Sequence, residues 1–261
     1  MNWLKDKKIV VIGGTTGLGL SAAQAFVNHG AQVVVVGRNP ESCLQAEIKL
    51  GPKSRAIKGD ASLPGTAQMA IDFCLSEFGG FTGLYHVAGG SGRRYGDGPL
   101  HEIPLDGWNK TFELNLTSLF LSNQSAVRKL LELGHGGTIL NMGSVLGYSP
   151  SPNYFSTHAY ATTKAAVIGF TKSAAAYYAS QNVRFNVLAP ALVETPMSQR
   201  ASKDEVIQSF IQTKQPLDGG RNGQPGDLDG AAVYFMSDNS KFTTGQILSV
   251  DGGWHLSEGQ L

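Results

Sequence analysis

The stretch Ile12-Gly13-Gly14-Thr15-Thr16-Gly17-Leu18-Gly19 lies between an apolar run, residues 9–12, and a segment of helical periodicity, residues 18–29. Glycines at such a junction let the chain turn sharply from strand to helix and let its backbone approach a pyrophosphate. The N-terminus of the helix then faces the negative charge of that group. The stretch therefore predicts a dinucleotide-binding loop. The residues expected to contact the cofactor are Gly13, Thr15, Thr16, Gly17, Leu18 and Gly19.

Apolar runs bounded by glycine or proline recur along the chain, and each predicts a strand buried on both faces. They cover residues 9–12, 33–36, 84–88, 138–142, 183–189 and 247–250, with a weaker strand at residues 55–58. Helical segments lie between them, at residues 18–29, 40–50, 64–78, 105–133, 159–180 and 227–236. This alternation predicts an α/β fold of one domain, residues 1–261, with a doubly wound, Rossmann-like parallel sheet covered by helices on both faces.

Composition narrows the kind of partner. Hydrophobic residues make up 41% of the 261 residues, enough for a sizeable core, and the net charge of +1 gives no broad basic field. We therefore expect a small-molecule partner, and neither nucleic acid nor a membrane. Cys43 and Cys74 lack the spacing of a zinc site or a redox motif, and no segment reaches about 18 apolar residues. These features favour a cytoplasmic protein without a metal site.

Three long irregular segments follow the carboxyl ends of predicted strands, at residues 89–104, 145–158 and 190–203. Ligands of open α/β sheets bind at that edge, so these segments are expected to form the pocket. Residues 197–215 are amphipathic. We therefore predict a substrate lid around residues 191–215.

The end of the second predicted strand decides between NAD and NADP. An acidic side chain there holds the ribose 2′-hydroxyl, whereas an arginine accommodates a 2′-phosphate. The sequence reads Gly37-Arg38-Asn39, and the first acid, Glu41, lies inside the next helix. NADP(H) is therefore favoured over NAD(H). The alternative is that Arg38 is an ordinary surface residue and that the site takes NAD.

Tyr160 and Lys164 are four residues apart, so they project from the same face of a predicted helix. An ammonium beside a phenol stabilises the phenolate, which predicts a phenol acidic enough to exchange protons near neutral pH. Ser144 ends the strand before that helix, and Asn115 lies on the helix before that strand. The four side chains are expected to converge on one edge of the sheet.

In their order, these motifs resemble the short-chain dehydrogenase/reductase family over essentially the whole chain. The residues that carry the resemblance are Gly13 to Gly19, Asp60-Ala61, Ala88-Gly89, Asn115, Ser144, Tyr160 with Lys164, Asn186, Pro190, Thr195, Thr244-Gly245-Gln246 and Asp251-Gly252-Gly253. The resemblance implies that Tyr160 is the general acid or base. It also implies that Lys164 binds the nicotinamide ribose and that Ser144 binds the substrate oxygen.

The same resemblance implies a proton relay through a water held by Asn115, and further contacts to the cofactor. Asp60 would accept a hydrogen bond from the adenine amino group, while Val193 and Thr195 would meet the nicotinamide carboxamide. The other implied cofactor positions are Ala61, Ala88, Gly89, Tyr160, Lys164 and Pro190. Two plainer interpretations stay open: Asp60 as a turn former and Asn115 as polar packing within a helix.

The sequence departs from the family pattern at Ile12, at His86-Val87, at Pro190-Ala191 and in one spacing. Ser144 and Tyr160 are sixteen positions apart, where about thirteen is commonest. The extra residues fall in the loop before Tyr160, so we expect an altered substrate pocket around an intact catalytic group. His86 invites a catalytic interpretation, but it is more simply an interior histidine on a strand.

The sequence thus predicts an oxidoreductase that transfers a hydride between a nicotinamide cofactor and a ketone or secondary alcohol. Reduction of a ketone by NADPH is favoured over oxidation of an alcohol. The alternatives are an NAD-dependent alcohol or sugar dehydrogenase and a non-catalytic dinucleotide-binding sensor. Arg93 and Arg94 are either contacts to an anionic substrate or solvated loop residues. The family usually forms tetramers through its long helices, so a homotetramer is expected.

Overall fold

The computed structural model describes residues 2–260. Within them, seven strands form one parallel sheet. They are β1 (Lys8–Ile12), β2 (Gln32–Gly37), β3 (Ser54–Lys58), β4 (Gly83–His86), β5 (Gly137–Met142), β6 (Val183–Pro190) and β7 (Ile247–Val250). Their order across the sheet is β3-β2-β1-β4-β5-β6-β7. This order confirms the doubly wound, Rossmann-like architecture.

Helices cover both faces of the sheet. They are α1 (Gly17–Asn28), α2 (Pro40–Leu50), α3 (Thr66–Phe78), α4 (Leu105–Phe112), α5 (Ser118–Leu133), α6 (His158–Tyr178), α7 (Gln199–Ser202), α8 (Glu205–Lys214) and α9 (Asp229–Met236). Alternate residues of a strand point to opposite faces. Accordingly Val33 and Val35 pack in the core that contains Phe26 of α1, while Val34 packs in the opposite core with Ile71 of α3. Burial on both faces explains why the strands read as continuous apolar runs.

The strand order reverses at β1, which pairs with β2 on one side and β4 on the other. The chain leaves β1 and β4 in opposite directions, because their crossovers lead to opposite halves of the sheet. A crevice therefore opens at the carboxyl ends of these two strands, and this is where such folds bind their ligands.

The predicted continuous helix at residues 105–133 is interrupted. A π-helical turn, Glu113–Thr117, separates α4 from α5. The Asn115 side chain donates a hydrogen bond to the Thr111 carbonyl at 2.9 Å. In a regular helix a backbone N–H donates to this carbonyl, so the side chain competes with the helical hydrogen bond. Such turns recur at functional sites because they redirect side chains without ending the helix.

Two further features bear on function. No helix within residues 2–260 is both long and apolar enough to cross a membrane. The same residues contain no group of three histidine, cysteine, aspartate or glutamate side chains arranged to hold a metal ion.

Candidate active site

A cavity of about 860 Å³ opens at the carboxyl edge of the sheet, between the loops that follow β1 and β4. All four predicted catalytic residues line it, namely Asn115, Ser144, Tyr160 and Lys164. The predicted cofactor-binding residues that line it are Gly13, Thr15, Thr16, Gly17, Leu18, Arg38, Asp60, Ala61, Ala88, Gly89, Pro190, Val193 and Thr195. The structure therefore brings the predicted site together around one cavity, with one exception.

The glycine loop after β1 is shaped for close approach. Gly13 has a φ of +83°, and a Cβ at this position would lie 2.6 Å from the backbone nitrogen of Ala88. Thr16 is the N-cap residue of α1, and its side chain makes no capping hydrogen bond. An uncapped helix end that faces a cavity offers its N–H groups to an anion. The loop thus fits the pyrophosphate of a dinucleotide.

The exception is Gly19. It is buried and does not line the cavity, and its contact with the cofactor stays a prediction. A Cβ at Gly19 would collide with the carbonyl oxygen of Gly13. The absence of a side chain therefore lets α1 pack closely against the loop, which is a structural role.

Arg38 and Asp60 lie near each other in the cavity wall, beyond the ends of β2 and β3. One carboxylate oxygen of Asp60 accepts hydrogen bonds from the backbone N–H and the hydroxyl of Ser62, at 2.9 and 2.8 Å. Burial acts to raise the pKa of Asp60, but these hydrogen bonds and the Arg38 charge lower it overall. Asp60 is therefore the turn former of the plainer interpretation. Its other oxygen accepts no hydrogen bond from residues 2–260, so it also has an acceptor to offer a ligand.

Ser144, Tyr160 and Lys164 meet where β5 ends and α6 begins. Ser144 and Lys164 are buried, and the Tyr160 ring is half-buried. The Lys164 amine lies 5.5 Å from the centroid of the Tyr160 ring and donates to the Met142 carbonyl at 2.9 Å. The four-residue spacing therefore places the amine and the phenol side by side, as predicted.

Desolvation dominates the protonation of this group. Burial raises the pKa of Tyr160 to about 12, against a smaller lowering by the Ser144 hydroxyl. Burial likewise lowers the pKa of Lys164 to about 8. Loss of hydration is the largest influence on the Tyr160 phenol in this structure and keeps it protonated in the neutral pH range. The acidifying effect of Lys164 stays a prediction.

Asn115 fixes the loop that follows β4. Its side-chain oxygen accepts from the Gly90 N–H at 3.0 Å, and its amide nitrogen donates to the carbonyls of Gly90 and Thr111, each at 2.9 Å. A Cβ on Gly89 would lie 2.7 Å from that same oxygen. The amide is therefore committed to the backbone, in line with the polar-packing interpretation, and the proton relay stays a prediction.

Asp97 belongs to the site although the sequence did not indicate it. The residue is only 4% exposed, and its two carboxylate oxygens accept from the backbone N–H groups of Ala159 and Tyr160, each at 2.9 Å. Thr157, the N-cap residue of α6, makes no side-chain capping bond. Asp97 thus caps α6 from a distant loop, and its charge meets the positive end of the helix dipole. Because one donor is the amide of Tyr160, this cap positions the phenol that is predicted to be catalytic.

Replacing Asp97 by alanine is expected to lower the free energy of unfolding by about 1–2 kcal/mol, because two N–H groups at a buried helix end lose their acceptors. kcat should fall while KM changes little, since the phenol shifts but the cavity remains. Asp97→Asn keeps one acceptor oxygen and should fall between wild type and alanine. Denaturant unfolding and steady-state kinetics measure both effects. An alanine variant with wild-type stability and kcat would exclude the positioning role.

His86 is an interior histidine, as predicted. It is 1% exposed, and its Nδ1 lies 2.7 Å from the Ser122 hydroxyl. Burial lowers the pKa of His86 to about 3, so the ring is neutral at physiological pH. The Lys164 charge adds to this lowering, and His86 does not line the cavity beside Tyr160.

The segment predicted as a lid covers the substrate end of the cavity. Its apolar side chains pack with residues from two other loops, in a cluster made of Val145, Leu192, Ala201, Ile207, Phe210, Ile211 and Trp254. Trp254 is 1% exposed, lines the cavity, and donates from its indole nitrogen to the Ser149 carbonyl at 3.2 Å. Arg93, Arg94 and Arg200 line the same cavity. Sequence reasoning missed Trp254 and Arg200, because no local pattern connects either residue with the catalytic helix.

Comparison with known proteins assigns the family. The family model described as Enoyl-(Acyl carrier protein) reductase matches residues 13–255. The 2,5-dichloro-2,5-cyclohexadiene-1,4-diol dehydrogenase of Sphingobium indicum is 34% identical over 258 residues, which cover 98% of this chain and 98% of that protein.

Solved structures agree. A short-chain type dehydrogenase/reductase from Mycobacterium ulcerans superposes with a TM-score of 0.89 at 29% identity, over 98% of this chain and 92% of that one. A gluconate 5-dehydrogenase from Burkholderia cenocepacia, in complex with NADP and tartrate, superposes with a TM-score of 0.87 at 28% identity, over 97% of each chain.

These matches are consistent with the parallel sheet and with the glycine loop of this chain. They are also consistent with the cavity lined by Ser144, Tyr160 and Lys164. The chain belongs to the short-chain dehydrogenase/reductase family and is an oxidoreductase that transfers a hydride between a nicotinamide cofactor and an alcohol or ketone.

Proposed function

We propose that this protein is an NADP(H)-dependent ketone reductase. The observation that carries the proposal is the half-buried phenol of Tyr160, whose pKa burial raises to about 12, beside Ser144 and Lys164 in the cavity wall. A neutral phenol is ready to donate a proton at pH 7, as reduction of a ketone requires. Oxidation of an alcohol uses the same groups in reverse, with the phenolate as proton acceptor, and gains from a higher pH.

The roles of the side chains follow from their positions. When bound, the nicotinamide cofactor supplies the hydride. Tyr160 donates its phenolic proton to the carbonyl oxygen of the substrate, and the Ser144 hydroxyl donates a hydrogen bond to the same oxygen. Lys164, held by the Met142 carbonyl, offsets the negative charge that this transfer leaves on the Tyr160 oxygen. Trp254 and Val145 help to exclude water from this end of the cavity.

The pH dependence follows from the two pKa shifts. Tyr160 keeps its proton up to a pKa of about 12, and Lys164 keeps its charge up to a pKa of about 8. kcat/KM for ketone reduction is therefore expected to be flat below pH 8 and to fall above it, while alcohol oxidation gains from rising pH. Steady-state rates in both directions between pH 6 and 10 measure this. A reduction rate that rises from pH 8 to 10 would contradict the assignment.

Arg38 supports the choice of NADP(H). It lines the cavity where β2 ends, and the single carboxylate in the described cavity wall, Asp60, is partly engaged by Ser62. A guanidinium that forms no salt bridge within residues 2–260 suits a 2′-phosphate at this position. Titration of the protein with NADPH and NADH, followed by turnover of a varied ketone panel, tests the proposal. Equal affinity for the two cofactors would contradict the preference.

A second candidate is an alcohol or sugar dehydrogenase with the same catalytic residues. The names of the Sphingobium and Burkholderia relatives favour it, since both are called dehydrogenases. A dinucleotide-binding sensor without turnover is less well supported. Such a protein has no need for a complete set of Ser144, Tyr160 and Lys164 beside a substrate-sized cavity.

We also propose that residues 191–215 open and close as a lid, and that the protein is a cytoplasmic homotetramer. Exposed apolar side chains on a long helix support the assembly: Phe120 and Leu131 on α5 are 43% and 45% exposed. Light scattering after size-exclusion chromatography measures the mass of the assembly directly.

A further inference from the structure

Two arginines from separate segments converge at the substrate end of the cavity. Arg93 lies in the loop after β4, and its Nη2 donates to the carbonyls of Tyr154 and Ser156, at 3.3 and 3.1 Å. Arg200 lies in α7, within the lid segment, and its Nη2 donates to the same Tyr154 carbonyl at 3.1 Å. The two guanidinium groups thus share one acceptor, and both line the cavity.

Neither guanidinium has a carboxylate partner. Within residues 2–260, no salt bridge involves Arg93 or Arg200. Burial and the charge of Arg200 both lower the pKa of Arg93, and Asp97 opposes them only in part. The Asp97 oxygens are already taken by the N–H groups of Ala159 and Tyr160. The two guanidinium groups therefore share one carbonyl, no carboxylate among residues 2–260 bonds to either of them, and the charge of Asp97 offsets their repulsion only in part.

The charged side chains that line the cavity are also mostly cationic. The cationic side chains of its described lining are Arg38, Arg93, Arg94, Lys164 and Arg200. The one carboxylate in that lining is Asp60, which lies beside Arg38 at the opposite end. The arginines at the substrate end are consequently not neutralised by any acid in the wall.

We propose that Arg93 and Arg200 bind an oxyanion group of the substrate, a carboxylate, phosphate or sulfonate, so that the protein reduces anionic ketones. The inference rests on the proposed reductase function and names its substrate class.

The hydrogen bonds to the carbonyls prepare this site. They fix one nitrogen of each guanidinium and leave Nε and Nη1 without an acceptor among residues 2–260. Two fixed guanidinium groups suit an oxyanion because each offers parallel N–H donors. Arg200 belongs to the lid, so an anion held by both arginines also ties the lid to the loop after β4. Arg94 differs, since its guanidinium is exposed and lies over the Tyr95 ring, 4.7 Å from the centroid.

The test compares aromatic ketones that differ in charge: para-acetylbenzoate, para-acetylbenzenesulfonate and para-acetylphenyl phosphate against neutral para-acetylbenzamide. With the NADPH-loaded enzyme, we expect at least one oxyanion to exceed the amide about 10-fold or more in both affinity and kcat/KM. The rank order of the three acids tells which oxyanion the site prefers. Calorimetry gives the affinities and steady-state kinetics the rates.

Arg93→Gln and Arg200→Gln are each expected to lower kcat/KM for the preferred oxyanion about 10- to 100-fold and to change the amide by less than about 2-fold. Lys203→Gln is the matched control, because it removes a charge from the same segment but does not line the cavity. The proposal would be overturned if the wild type had the same kcat/KM for the acids and the amide. It would also be overturned if Arg93→Gln lowered kcat/KM for both by the same factor. Oxyanion binding without reduction of any ketone would instead overturn the reductase function alone.

Discussion

Tyr160→Phe is expected to lower kcat for ketone reduction by about 100- to 10,000-fold, the range over which a positioned general acid acts. Phenylalanine keeps the ring and its packing but has no proton to give to the carbonyl oxygen. Ser144 and Lys164 remain in place, so the cavity and its affinity for the cofactor should be nearly unchanged. Steady-state kinetics together with fluorescence titration of NADPH separate the loss of chemistry from a loss of binding.

Tyr177→Phe makes the same chemical change at a 73% exposed position of the same helix, and serves as the control. It should behave like the wild type in both measurements. A Tyr160→Phe protein that binds the cofactor and retains wild-type kcat would show that another group supplies the proton. Loss of cofactor binding in parallel with activity would instead assign Tyr160 a binding role.

Arg38→Asp is expected to reverse the cofactor preference. The guanidinium has no salt-bridge partner within residues 2–260, so its substitution breaks no ion pair of the fold. Charge-assisted bonds to a 2′-phosphate disappear and a repulsive carboxylate takes their place, so kcat/KM for NADPH should fall about 100-fold or more. The value for NADH should hold or rise, because a carboxylate accepts from the ribose hydroxyls.

Lys53→Asp reverses a positive charge in the exposed turn before β3, outside the cavity lining, and controls for the change in net charge. It should leave the NADPH to NADH ratio unchanged. If Arg38→Asp lowered kcat/KM equally for NADPH and NADH, Arg38 would not bind the 2′-phosphate. The protein would then be assigned to NAD-linked chemistry or to no cofactor preference.

Much of the fold was predictable because its determinants are local. Strands such as β1 and β2 are buried on both faces, so they appear in the sequence as apolar runs. The glycine loop at Gly13 marks the junction between the first strand and the first helix. The four-residue spacing of Tyr160 and Lys164 is also local, and helix geometry alone places both on one face. The strand order then brings Ser144 and the glycine loop to the same edge of the sheet.

Other features were beyond local reasoning because they depend on contacts between distant segments. The cap that Asp97 provides to α6 joins residues 62 and 63 positions apart. The π-helical turn at Asn115 depends on how that side chain is held by Gly90 and Thr111 after folding. The convergence of Arg93 and Arg200 on the Tyr154 carbonyl is likewise a product of tertiary structure.

The protonation of Tyr160 depends on burial as well as on the neighbouring charge. The neighbouring Lys164 suggested an acidic phenol, but both groups are desolvated, which raises the pKa of the phenol and lowers that of the amine. Burial depends on how distant segments enclose the cavity, and no spacing of residues reports it. A buried phenol that keeps its proton suits the acid role proposed for Tyr160.

Direct transfer of a hydride to a substrate carbonyl is open to one decisive measurement. The protein is incubated with a ketone that it reduces and with NADPH carrying deuterium at the transferable position of the nicotinamide ring, and the alcohol is analysed by mass spectrometry. One deuterium on the carbinol carbon, formed by the wild type and about 100-fold or more slowly by Tyr160→Phe, is the predicted result. An alcohol without deuterium, or a cofactor that binds tightly and is never oxidised by any ketone, would contradict it.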